Sequence, residues 1–102
     1  MHSHKKMNLI TAILPMSTTM PIIRELHSMG IYTANKSTAR GSSNTSAIHD
    51  VEMEVMTVLV EESRADEVFE LVYELGGLSQ PSHGMIFQSA VSLSSEYLLP
   101  SE

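Results

Sequence analysis

Lys36 and Arg40 stand in a polar stretch, residues 36–49 (KSTARGSSNTSAIH), that contains almost nothing able to be buried. They are two of only six cations in the chain, and Gly41 follows Arg40 directly. A guanidinium beside a glycine offers charged donors together with a backbone that a ligand can approach closely. Arg40 therefore reads as a residue that engages an anionic effector, or a partner's carboxylate, once the segment orders. The blander reading of the same pair is a solvated cation beside a turn glycine.

The other chemistry-bearing residues are thinner. Five histidines invite a metal reading: His2 and His4 near the N-terminus, His27 in a helical pattern, His49 and His83 at loop ends. None makes an i, i+3 or i, i+4 ligand pair with a carboxylate on a helix, and metal sites need convergent ligands of defined geometry. No metal ligand is assigned within one chain. The eight methionines read as pliable core filler. No nucleophile–base pair is legible. Residues 14–17 (LPMS) are not the arginine-bearing, glycine-rich phosphate loop that acylphosphatase-like chemistry needs after its first strand. The expectation is a binding protein, not an enzyme.

Positioning such a stretch takes a fold, and the composition is that of one globular domain of 102 residues, 42% apolar and 18% charged. A net charge of −6 argues against nucleic acid or anionic membranes as partners. The absence of cysteine excludes disulfides and thiolate chemistry. With no signal-like h-region and no run of about 20 apolar residues, the expected setting is the cytoplasm. All six Lys and Arg lie at or before Arg64. Any anion site built from the last third of the chain must then rely on backbone N–H groups.

Residues 8–14 (NLITAIL) read as a central strand ended by Pro15. Ser17, Thr18 and Thr19 offer N-cap hydroxyls, Pro21 suits the first turn of a helix, and Ile22, Ile23, Leu26 and Met29 form its apolar stripe up to Gly30. Residues 31–35 read as a second strand. Residues 51–60 read as a third, with Glu52 and Glu54 on a wet face before both faces turn apolar. Ser63 and Asp66 have the spacing of a capping box. Ala65, Val68, Phe69, Val72 and Leu75 make the stripe of a second helix ended by Gly76 and Gly77. A tight polar loop, 80–84 (QPSHG), leads to a fourth strand at 85–91.

The order βαββαβ gives an α+β, ferredoxin-like fold: a four-stranded antiparallel sheet with two helices on one face. One domain spans residues 1–102, with a disordered N-terminus at 1–6, a mobile loop at 37–49 and a C-terminal tail at 95–102. The strands are apolar on both sides, and two helices cover only one. Another copy of the chain is the expected cover for the second.

Over residues 7–94 the chain resembles the PII signalling superfamily, in particular its divergent PII-like branch. The resemblance is carried by NLITAILP, by LHSMGI at the end of the first helix, and by the loop between strands two and three. An acidic second helix ending in ELGG and the turn HGMIF complete it. It implies a homotrimer whose sheets line a central barrel, and a small effector, an adenine nucleotide or a small anion, bound in clefts between subunits. It further implies a target protein, such as a membrane transporter or an enzyme, docked through Ser37, Thr38, Arg40, Ser42 and Asn44. The implied effector set is Lys36, Arg40, Gly41, Gln80, His83 and Gly84, with Gly84 matching a glycine whose backbone approaches phosphate. Where the family carries a lysine after that glycine this chain has Met85, and residues 92–96 lack the family's late basic residues. The alternative is a trimeric metal-binding or metal-tolerance protein of the same fold, with histidines at its interfaces.

Overall fold

The computed structural model describes residues 6–38, 52–80 and 84–92. Its elements run β1 (Lys6–Pro15), α1 (Met16–Ser28), β2 (Asn35–Thr38), β3 (Met53–Glu61), α2 (Glu62–Leu75) and β4 (Met85–Ser92). The strands form one sheet in the order β2-β3-β1-β4, and every neighbouring pair is antiparallel. This is the expected ferredoxin-like α+β arrangement.

Alternation along the central strands sorts their side chains into two layers. Ile10, Ala12 and Leu14 of β1 and Met56, Val58 and Val60 of β3 are buried against Ile22, Ile23 and Leu26 of α1 and Ala65, Val68 and Val72 of α2. Each large side chain in that layer contributes about 1.5–3 kcal/mol by leaving water. The opposite face is set by the register. Val55, Ile13 and Met85 lie side by side across β3, β1 and β4, and Thr57, Thr11 and Phe87 form the next row. No helix among the described residues covers these rows, and Met85 and Phe87 are 53% and 51% exposed. The two-sided apolar character read from the strands is real, and among the described residues its second side is open.

Both helices stop at the expected glycines. The Gly30 N–H donates to the His27 carbonyl and the Ile31 N–H to that of Leu26, while Gly30 takes φ +83°. Gly77 and Leu78 repeat the pattern on Glu74 and Tyr73, with Gly77 at φ +64°. These are paired Schellman closures, and each buries the residue that follows, Ile31 or Leu78. Gly76 has a separate reason to lack a side chain: a Cβ there would stand 2.6 Å from Leu14 Cδ2.

Four local expectations are corrected. The helix after β1 starts at Met16, directly after Pro15. Its first N–H donates to the Glu52 carbonyl, and Thr18 Oγ1 donates back to the Pro15 carbonyl, at 2.9 Å each. Pro21 consequently sits in the second turn; the carbonyl deprived of a donor belongs to exposed Ser17, where water can solvate it. The capping box at Ser63 and Asp66 does not form, because α2 begins at Glu62 and Glu61 occupies the N-cap position, where its side chain makes no capping hydrogen bond. Within α2 the fully buried stripe is narrower than expected, and Leu75 is 46% exposed.

The second strand is displaced. Residues 31–34 are not in a strand, and β2 is Asn35–Thr38, four exposed residues at the sheet edge. Ile31 looks like the start of a strand but is the buried closing residue of the Schellman motif. Ser37 and Thr38, assigned to the loop, are paired with Val55 and Glu54.

Candidate functional site

Of the candidate effector residues, Lys36, Gln80 and Gly84 are described, and Lys36 and Gly84 lie on opposite edges of the sheet at the end where β2 stops and β4 starts. On its outer edge, Lys36 projects from β2. Its direct cross-strand partner is Met56, yet its ammonium runs diagonally along the ladder to Glu54, with Nζ 3.2 Å from Oε2. Glu54 overturns the expected wet face of β3. The alternation is there, but its sense is reversed: Glu54 shares the helix side with Met56 and Val58 and is 5% exposed, while Met53 and Val55 face the open side. A carboxylate can occupy that layer because a lysine from the neighbouring strand neutralises it. Its Oε1 is buried with no hydrogen-bond partner among the described residues.

On the far edge, Gly84 precedes β4 at φ +124°, with its Cα so close to β1 that a Cβ would overlap the Ile13 carbonyl oxygen. Close backbone approach is therefore a fact of this glycine, and what it approaches in the chain is β1. Gln80 is exposed beyond α2, with its N–H donating to the Gly77 carbonyl at 3.1 Å. Arg40, Gly41, Ser42, Asn44 and His83 lie outside the described residues, as do residues 1–5 and the tail at 95–102; Lys6, assigned to the disordered N-terminus, is instead the first residue of β1, paired with Ser92.

Lys36 and Gly84 flank the sheet rather than converge. Three strand spacings separate β2 from β4, about 14 Å, so one chain does not bring them onto one small ligand. Between them, at the β1–α1 junction, Pro15, Met16, Ser17 and Glu52 line an open depression of about 390 Å³.

The other end of the sheet carries a second concavity that the sequence reading missed. It measures about 310 Å³ and is lined by Met7, Gly30, Ile31, Tyr32, Thr33, Leu59, Val60, Glu61 and Arg64. Arg64 organises it. Its Nη1 donates to the Met29 carbonyl at 3.1 Å, capping the C-terminal end of α1, and its Nε lies 3.5 Å from the Glu67 carboxylate. The available signal was the charge order in the first turn of α2, with Glu67 three residues after Arg64. Exposed Tyr32 packs its ring on His27, with centroids 5.1 Å apart. Among the described residues, no three His, Asp or Glu side chains are grouped to hold a metal ion. No helix among them is long and apolar enough to cross a membrane.

No sequence profile of a protein family matches the chain, and no curated protein matches it in sequence. Solved structures do match its fold. Arabidopsis thaliana PII bound to citrate superposes with a TM-score of 0.68 at 20% identity, over 86% of this chain and 79% of that one. Protein SA1388 of Staphylococcus aureus superposes with a TM-score of 0.65 at 12% identity, over 89% of this chain; that match takes in 24% of the longer protein. The fold is PII-like.

Proposed function

We propose that this protein is a PII-like regulator that assembles as a homotrimer, binds a small anionic effector in clefts between subunits, and signals to a target protein through residues 37–49. The observation that carries this reading is the open sheet face. Val55, Ile13, Met85 and Phe87 form a continuous apolar surface that no helix among the described residues covers, and burial against other copies is the economical way to remove it from water. Such assembly would also set the β2 edge of one chain near the β4 edge of another. Lys36 and Gly84, separated within a chain, would then meet across a cleft.

The effector we favour is a small multivalent anion such as a polycarboxylate or phosphate. Strong polyphosphate recognition relies on Arg and Lys. The chain has none after Arg64, and Met85 follows Gly84. Lys36 and Arg40 with the Gly41 and Gly84 amides suit a compact charge, with Gln80 and His83 at the rim. The structural likeness to a PII protein bound to citrate supports the same class. An adenine nucleotide is the wider possibility, and the target would be a cytoplasmic enzyme or the cytoplasmic face of a transporter. The role is regulation, not catalysis.

A thermal-shift panel tests it, because a ligand of the native state raises the melting temperature in proportion to RT ln(1 + [L]/Kd). The panel contains citrate, phosphate, bicarbonate, AMP, ADP, ATP and cyclic AMP, with copper, zinc and nickel ions as the contrasting class. Stabilisation by citrate, phosphate or a nucleotide is expected. Stabilisation by metal ions alone, reversed by a chelator, would replace this reading with the metal-binding one.

A further inference from the structure

β2 is held to the fold by little. All four of its residues are exposed, so none of its side chains anchors it by burial. Its ties are the backbone ladder to β3, a hydrogen bond from Thr33 Oγ1 to the Leu59 carbonyl at 2.7 Å just before the strand, and the Lys36–Glu54 ion pair. At the Thr38 end the ion pair is the one side-chain tie among the described residues, beside the ladder rungs Ser37–Val55 and Thr38–Glu54. Its members are unequal: the Lys36 side chain is 40% exposed and that of Glu54 is 7% exposed. An anion from solvent can reach the ammonium. Glu54, with one oxygen already unpartnered, tolerates its position only while Lys36 is there, since a buried unpaired carboxylate is strongly disfavoured.

We propose that the Lys36–Glu54 pair is a clamp that couples anion binding to the loop base. An anion that draws off Lys36 leaves Glu54 buried without its cation. Glu54 relieves this by turning out to water, which opens the last two rungs of the ladder, Ser37–Val55 and Thr38–Glu54. This inference rests on the anion-responsive reading above and adds how occupancy would reach the loop.

The test is amide hydrogen exchange on the full chain, following residues 37, 38, 54 and 55 against the core amide of Val58. Wild type, Lys36→Met and the double variant Lys36→Met/Glu54→Met are compared without ligand. Lys36→Met is expected to exchange about tenfold faster at the four loop-base amides, with Val58 changed far less. The double variant leaves no charge to bury and is expected to return to about the wild-type rate. A single variant that exchanges like wild type, or a double variant as fast as the single, overturns the clamp. Citrate or phosphate is then added at a concentration that raises the wild-type melting temperature. Faster exchange at the same amides in wild type, and none in the double variant, is expected. Binding without that change overturns the coupling. If neither anion shifts the melting temperature, the anion reading fails, while the ligand-free comparison still decides the clamp.

Discussion

Gly84 lies against the carbonyl of Ile13, at a φ of +124° that side chains rarely adopt, with Met53 Cε closing the remaining space. Two effects therefore oppose any replacement: left-handed backbone strain and overlap with a neighbouring strand that cannot yield. Gly84→Ala is expected to destabilise the fold by about 2–3 kcal/mol. For a domain of this size that lowers the melting temperature by at least about 8 °C. An unchanged melting temperature with loss of anion binding would instead assign the glycine wholly to ligand approach.

Arg64 ties the end of α1 to the start of α2 through the Met29 carbonyl. The contact to Glu67 is long and exposed, so it adds little. Arg64→Ala is expected to lower stability by about 1 kcal/mol in denaturant titration, and Glu67→Ala by less than about half of that. Equal losses for the two would show that the ion pair, not the helix-end bond, carries the effect.

Phe87 sits on the uncovered face, half exposed in the single chain. Phe87→Glu is expected to leave the helical circular dichroism unchanged and to shift sedimentation toward the monomer, because a carboxylate cannot be buried between apolar sheets without a partner. Loss of secondary structure, or an unchanged sedimentation coefficient, would remove this face from the assembly.

Arg40 precedes the only glycine of the 36–49 stretch. Arg40→Ala is expected to weaken citrate or phosphate stabilisation about tenfold or more in Kd, while the melting temperature without ligand stays within about 1 °C. Equal loss of both would mean that Arg40 supports the fold and not the effector.

The element order was legible because each boundary carries its own chemistry: Pro15 and Gly30 around α1, Gly76 and Gly77 after α2, and Gly84 before β4. The open face was legible from Thr57 and Leu59 alternating with Met56 and Val58. What could not be read were features decided by partners distant in sequence. Glu54 looks like a solvent residue in an alternating strand, and only Lys36, 18 residues away, makes its burial tolerable. Ile31 has strand character, yet helix closure claims it. The capping box at Ser63 lost to a strand that runs straight into its helix at Glu62. The candidate site was the least legible part, since Lys36 and Gly84 are near neither in sequence nor within one chain.

Sedimentation velocity of the wild-type chain at micromolar concentration addresses the assembled, cleft-bearing form most directly. With a chain of 11.2 kDa, a single species of about three times that mass is expected, and it should collapse in Phe87→Glu. A wild-type protein that sediments as a monomer would contradict the reading, because the open sheet face would then have no cover and Lys36 and Gly84 no cleft to share.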